Sequence, residues 1–437
     1  VGDDWPISYW DLYPYYDMLD NIVGVSGIKG DPAHPPVKAN WQKPHPLGPG
    51  GKVMARGFDK LGWHWWPQTS ATITEPHGDR EPCPTNCQVC DEGCAHEAKN
   101  SSDVVFWPEA LRNGAVLKTK ARVREITLDK RGLADGALYY DREGRLTEQK
   151  ARIVVMAANG FGTPRLLLNS KSNQFPQGLA NGSGMVGKNL MAHPMMSVSA
   201  QFEEDVALQN YQSSGMISDE FYESDPGKRG FARGFWFLGS GFVSPARAAL
   251  DTTPSDRATI VPAALKHGQN RGIQWGALHH AAFQERYNYT VGTSMLFEEL
   301  PTEYNRLELD PTTSDEVGVP GIKLYYEKTE NLKKMIDYGV ERAKEAFMAA
   351  GATKIVNVAP LAEGGAYHLM GTARMGNNPS TSVVNKWGRS HEVKNLFVID
   401  GSVFVTAGPT VVTCTLQTIA LRIADYVKKN HQDLLKA

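Results

Sequence analysis

At 437 residues, with 41% hydrophobic and 22% charged residues, the chain is long enough for two domains and has the make-up of a globular enzyme rather than a disordered chain. Its 46 Lys and Arg against 48 Asp and Glu leave a formal charge of −2, which excludes the electrostatic footprint of a nucleic-acid or anionic-lipid binder. No apolar run approaches the roughly eighteen residues of a membrane-spanning helix, and 42 Gly and 26 Pro point to turns and loops rather than a helical bundle.

The first residues, Val1-Gly2-Asp3-Asp4-Trp5, are neither basic nor leader-like, and no methionine opens the chain, so processing, truncation or further residues upstream are all expected possibilities. An aromatic, acidic stretch closing on Gly24 and Gly27 predicts a helix over 12–23. Residues 28–50 read as loop, 53–61 has helical spacing, and 70–74 suits a short strand. A helix is expected over 103–113, its start favoured by Asp103. Strands follow over 117–129 and 137–141, then a continuously apolar one over 153–156 that suits burial on both faces. That strand runs into a glycine-bearing turn whose Pro164 suits the first turn of a helix over 165–170, a junction able to present backbone N–H groups to a cofactor.

Residues 195–325 are richer in aromatic and β-type segments, notably 195–202, 230–237 and 306–310, and predict a mostly β layer. Trp236, Trp275 and Tyr289 in this layer are of a type that can stack on a sugar ring, although most such aromatics belong to a core. An amphipathic helix over 330–350 ends at Gly351. The chain then returns to α/β text, with a strand over 395–400 and a helix over 415–428.

The strand ending at Asp400 puts a carboxylate and the small Gly401 and Ser402 at the carboxyl edge of a sheet, where α/β folds bind cofactors. Some thirty residues earlier His368 stands just before a Gly-Thr turn, in a stretch too glycine-rich to be packed core. From spacing alone that histidine suits an active site or a structural bond to a loop carbonyl equally well. Four of the five cysteines, Cys83, Cys87, Cys90 and Cys94, fall within twelve residues, and the spacing leaves an iron–sulfur site, a structural zinc site and two disulfides open. Cys414, distant from them in an apolar helix start, is expected to be a small buried residue.

The run His368-Leu369-Met370-Gly371-Thr372-Ala373-Arg374-Met375-Gly376, the stretch from Asn395 through Asp400 to Phe404, and the closing helix resemble the C-terminal signature of the glucose-methanol-choline (GMC) oxidoreductases in order and spacing. Trp5-Pro6-Ile7-Ser8-Tyr9, Gly162-Thr163-Pro164-Arg165, the stretch 186–194 and Asn305-Arg306-Leu307 concur, so the resemblance covers nearly the whole chain. It is strongest to the branch of gluconate, fructose, sorbitol and glucose dehydrogenase flavoprotein subunits and glucoside 3-dehydrogenases. The resemblance implies an α/β (α+β) fold: a discontinuous, Rossmann-like FAD-binding domain over 1–194 and 361–437, with the cysteine loop at 83–94, and an inserted antiparallel-sheet substrate domain over 195–360.

The same resemblance implies oxidation of a hydroxyl of a sugar, glycoside or sugar acid by hydride transfer to flavin, with His368 receiving the hydroxyl proton. It places the flavin against Val123, Asn159, Gly160, Thr163, Asp400, Gly401, Val411 and Val412, and gives His193 a packing role. It also favours a 3Fe–4S cluster on the cysteine loop, one of whose four thiolates such a cluster does not need, with a small accessory subunit and a cytochrome c type acceptor. By the same token the periplasm or the periphery of the inner membrane is favoured, with the cytoplasm open. Rival expectations are an oxidase of the same family using oxygen and a degenerate or partial subunit without catalysis.

Two departures from the family pattern stand out. The N-terminal Gly-x-Gly-x-x-Gly that follows a strand, with its ribose-holding acid, is absent, so the chain alone is expected to bind FAD poorly and a separate chain can carry that segment. Val411 and Val412 stand where the family places an Asn or His and a proline, which leaves Thr410 or Thr413 as catalytic substitutes for the lost hydrogen bond.

Overall fold

The computed structural model describes residues 2–85, 90, 93–206, 215–223, 226–241, 277–360 and 367–434. The first helix, α1 (Tyr9–Val23), is opened by a reciprocal capping box between Ser8 and Asp11 and closed by Gly24 in the left-handed region, so its ends are set by local chemistry. Helix α2 (Pro49–Leu61) starts on a proline, which loses nothing by having no N–H at that position. The short β1 (Trp66–Pro67) follows. The expected strand at 70–74 is not formed: Ser70 and Thr72 make only isolated bridges, to Ser26 and Lys99. The expected helix at 103–113 breaks into α3 (Ser102–Val105) and α4 (Trp107–Arg112), because Pro108 cannot donate into a continuous helical ladder.

Strands β2 (Arg122–Leu128), β3 (Ala134–Tyr140) and β4 (Leu146–Lys150) form an antiparallel meander, the third of them unforeseen in the sequence. Strand β5 (Val154–Met156) is not buried on both faces. Val155 is 47% exposed, because among the described residues nothing covers that side. Helix α5 (Asn159–Asn169) starts six residues before the expected 165, with Pro164 inside it. A proline there leaves the carbonyl four residues back without its helical donor. The Gly160 carbonyl instead accepts from Thr372 Oγ1 at 2.7 Å, so the proline is used to tie two distant segments together.

Strands β6 (Met191–His193), β7 (Met195–Gln201) and β8 (Met216–Ser218) come next, then the one-turn α6 (Pro226–Arg229), β9 (Phe235–Gly241), α7 (Ala277–Tyr287) and β10 (Thr290–Phe297). The hairpin of β11 (Arg306–Ser314) and β12 (Pro320–Tyr325) precedes α8 (Glu330–Ala350), β13 (Lys354–Pro360), β14 (Tyr367–Met370), β15 (Leu396–Val398) and α9 (Thr413–Leu434). Among the described residues the largest sheet has six antiparallel strands in the order β1-β8-β9-β10-β7-β13.

Helices α2 and α8 lie against that sheet over a core that includes Phe58, Phe235, Phe237, Phe297 and Phe347, all essentially inaccessible. The helices approach closely because Gly57 has no side chain: a Cβ there would sit 2.3 Å from the Ala346 carbonyl oxygen. A second core gathers α1, the turn after β5, β15 and α9, with Leu167, Met191, Met370, Leu396, Phe397 and Ile419 inside it. Trp236 is buried, Tyr289 is half-buried in the turn before β10, and Trp275 lies outside the described residues.

Candidate active site

Strands β5 and β15 run parallel, with Val154, Val155 and Met156 opposite Leu396, Phe397 and Val398, so both deliver the chain to the same sheet edge. The first leads to Asn159, left-handed at φ 63°, whose Oδ1 accepts from the N–H groups of Phe161 and Gly162. The second leads to Asp400, which caps the short turn Gly401–Val403 by accepting from Ser402 N at 2.9 Å. Thr163 joins the two: its buried hydroxyl donates to Asp400 Oδ2 at 2.5 Å and accepts from Ala158 N at 3.2 Å.

The histidine segment enters between these turns. A Cβ on Gly160 would lie 2.5 Å from the Leu369 carbonyl oxygen, and one on Gly401 would lie 2.7 Å from the same atom. Three segments far apart in sequence therefore converge on the residue next to His368, and glycine is required at two of them. The stretch 368–376, expected to lie outside the packed core, proves to be part of it: Met370, Thr372, Ala373, Arg374 and Met375 are buried. Its glycines serve close backbone approach rather than looseness. Its amides bond to the carbonyls of Gly401, Ser402 and Val403, while the Thr372 carbonyl accepts from Gly187 N.

Strand β14 pairs antiparallel with β6, setting Tyr367 opposite His193. An irregularity before Met370 leaves His368 at φ 61°, a conformation costly for a residue with a side chain and concentrated at functional sites. The two imidazoles meet edge to face, with Nδ1 of His193 and Nδ1 of His368 2.9 Å apart. Burial, followed by the neighbouring His368, pushes the His193 pKa down to about 3, with the Gly408 backbone opposing. Burial alone lowers His368. The pair is thus neutral at physiological pH and shares one N–H between the two facing nitrogens. Packing is part of what His193 does, since it is inaccessible to solvent, but its bond to His368 was not legible in the sequence, where 175 positions separate the two.

A cavity of about 270 Å³ is linked to this arrangement through Gly408, which lines it and whose backbone bonds His193, while neither histidine lines it. One wall carries Phe404, Gly408, Thr410, Val411 and Val412 from the approach to α9, and the facing wall carries Tyr222, Glu223, Arg233 and Glu298. Burial raises Glu298 to about 8 even though Arg233 approaches its carboxylate at 3.7 Å, so this wall can present a protonated acid. Thr410 is on the cavity surface with Val411, whereas Thr413 is exposed at the first turn of α9 and does not line it. Val123 is half-exposed in the meander and does not line it either.

Cys83, Cys90 and Cys94 are partly buried in one loop, and Cys87 lies outside the described residues. Burial pushes the Cys94 thiol up, but the backbone N–H groups of Lys99, His96, Ala98 and Glu97 outweigh it and hold the pKa below the ordinary thiol value. Thr85 N donates to Cys83 Sγ at 3.4 Å. Cys414 is exposed as a residue at the start of α9, yet burial pushes its thiol up to about 12 while the Thr418 hydroxyl one turn on, in a hydrogen bond with it, opposes that shift, so the sulfur itself is withdrawn as expected.

The residues at the sheet edge fit a flavin nucleotide. Asp400, the two glycines and the start of α5 offer a close backbone approach, and Ser402 Oγ is buried with no hydrogen-bond partner among the described residues. Gly182-Ser183-Gly184-Met185-Val186-Gly187 spells the dinucleotide pattern, but it runs as turns into β6 and lacks the strand-turn-helix context that gives the pattern its meaning.

Comparison with known proteins agrees. Residues 7–195 and 301–420 match the N- and C-terminal models of GMC oxidoreductases. The chain is 38% identical over 440 aligned residues to 2-methyl-1,2-propanediol dehydrogenase of Mycolicibacterium austroafricanum, covering 99% of this chain and 76% of that one. It is 27% identical to the fructose dehydrogenase large subunit of Gluconobacter japonicus, over 98% and 75% of the two chains. The crystal structure of pyridoxine 4-oxidase from Mesorbium loti superposes with a TM-score of 0.60 at 13% identity, over 97% of this chain and 77% of that one, which is a likeness of fold. The chain therefore belongs to the GMC oxidoreductase family of FAD-dependent enzymes, which act on the CH–OH groups of alcohols and sugars.

Proposed function

We propose that the chain is the catalytic part of a dehydrogenase that oxidises a hydroxyl of a small polyol, sugar, glycoside or sugar acid, with His368 as the base. The convergence of His368 with the two glycine turns, Asn159-Gly160 and Asp400-Gly401, carries this reading. Asn159, Gly160, Thr163, Asp400, Gly401 and Ser402 are the residues we assign to holding the flavin, and FAD when bound there supplies the hydride acceptor. The diol substrate named for the 38% identical relative, and a cavity of about 270 Å³ lined by two carboxyls, a guanidinium and a phenol, support a small polyhydroxylated substrate.

His193 does what Val411 cannot. Kept neutral by burial, it accepts the Nδ1–H of His368, which leaves the Nε2 lone pair of His368 as the basic site. When Nε2 takes the hydroxyl proton, the Nδ1–H···Nδ1 bond becomes charge-assisted and stabilises the imidazolium. Thr410, on the cavity surface, is the better placed of the two threonines to meet the substrate hydroxyl. Cys83, Cys87, Cys90 and Cys94 would hold an iron–sulfur centre, which would supply a one-electron route from the flavin to a cytochrome-type acceptor. The amide cluster that favours the Cys94 thiolate supports ligation there.

His368→Ala is expected to lower the rate of flavin reduction by substrate about 10²–10⁴-fold while the flavin stays bound. Stopped-flow absorbance on the reconstituted enzyme measures this, and unchanged reduction removes His368 from the mechanism.

A further inference from the structure

Away from the active site, three segments bring two histidines and two aspartates together. Asp31 turns the loop after α1, its Oδ1 accepting from Ala33 N at 2.9 Å and facing Nε2 of His64, from the loop after α2, at 2.8 Å. Nε2 of His34 is 2.9 Å from Oδ2 of Asp219, which follows β8, and 3.9 Å from Oδ2 of Asp31. Both carboxylates are withdrawn from water, with side-chain exposures of 7% for Asp31 and 6% for Asp219. Even so, Asp31 Oδ2 and Asp219 Oδ1 have no hydrogen-bond partner among the described residues. A buried carboxylate oxygen left in that state is costly unless a cation meets it.

We propose that Asp31, His34 and Asp219 form a binding site for a divalent transition-metal ion, with His64 orienting Asp31. One ligand atom from each of the three residues lies within 4.8 Å of the others. Metal–ligand bonds of about 2.0–2.2 Å separate the ligands of a tetrahedral ion by roughly 3.5 Å, so binding asks for a closure of about 1 Å. His34, whose side chain is 46% exposed, can supply it and leaves an approach from solvent. Nε2 of His34 gives up its proton to solvent and takes the ion in its place. Two carboxylates and an imidazole balance the charge of the ion, and this nitrogen–oxygen set suits zinc and its first-row neighbours rather than calcium or magnesium. His64 then acts as the outer hydrogen-bond partner of a ligating carboxylate. The ion would anchor the turn in which Tyr222 N donates to the Asp219 carbonyl at 3.0 Å, and Tyr222 forms part of the cavity wall.

The full chain, dialysed against chelator and then against zinc, is expected to hold one zinc that His34→Ala and Asp219→Asn both lose, while His64→Ala binds it about 10–100-fold more weakly. Zinc-edge X-ray absorption separates this ion from any held by the cysteine loop. The difference between wild type and His34→Ala should contain nitrogen and oxygen neighbours and no sulfur. Zinc should raise the melting temperature of the wild type and leave that of His34→Ala unmoved. His34 is exposed enough for its truncation to be tolerated, so the proposal stays testable if Asp219→Asn does not fold. Equal zinc content in all chains, sulfur neighbours alone, or no zinc uptake overturns it and leaves two plain His–Asp pairs.

Discussion

His193 is the residue whose role changes most between sequence and structure. If it holds His368 in the basic tautomer, His193→Phe should reduce kcat roughly tenfold to a hundredfold, the worth of one hydrogen bond to a charged group, with little change in KM. Losing the acceptor also destabilises the imidazolium and lowers the His368 pKa. The acid limb of the kcat/KM profile, where protonation of the base abolishes activity, should therefore move to lower pH. His193→Asn, whose carbonyl can accept the same N–H, should restore most of the rate and return the limb. A purely structural histidine would show neither the limb shift nor the rescue. His368 and Asp400 were legible in the sequence because each sits in a contiguous motif. The His193 bond was not, because it arises from two three- or four-residue strands whose pairing no local pattern announces.

Among the elements, the long helices were read well at their C-terminal ends, where Gly24 closes α1 and Gly351 closes α8, whereas α1 and α2 start earlier than the expected 12 and 53, on the Ser8 cap and on Pro49. Short strands and the proline-interrupted helices were read poorly, since tertiary pairing and a single missing N–H decide them. The packing of α2 on α8 gives a sharp test. In an exposed helix Gly57→Ala would gain about 1 kcal/mol of propensity. Here the new Cβ meets a backbone carbonyl at 2.3 Å that cannot rotate away, and overpacking of this kind costs about 1–3 kcal/mol or more. A lowered melting temperature is expected, and a raised one would mean that the helices are free to separate.

For the whole molecule, electron flow out of the flavin and the order of assembly are the two matters at stake. If the cysteine loop is the relay, the anaerobically purified protein should contain three or more irons with acid-labile sulfide per chain. Cys94→Ser should then slow reduction of an external cytochrome more than reduction of flavin by substrate. No iron, together with a zinc that has sulfur neighbours, would remove the relay and leave the loop as a clip. Assembly is governed by a different feature. Trp5 Nε1 donates to Thr406, Tyr15 to Asp425 and Tyr16 hydrogen-bonds Thr415, contacts that span 401, 410 and 399 positions, and Asp3 pairs with Arg374. At a synthesis rate of roughly 5–20 residues per second, the aromatic face of α1 leaves the ribosome some twenty seconds or more before the helix that covers it. Leu12 and Tyr16 of α1 pack into the core that α9 completes, and during that interval they would lie bare, a sticky strip awaiting α9. Helix α1 is thus made well before the helix it packs on and waits for it to find its place, which makes it a natural handle for a chaperone.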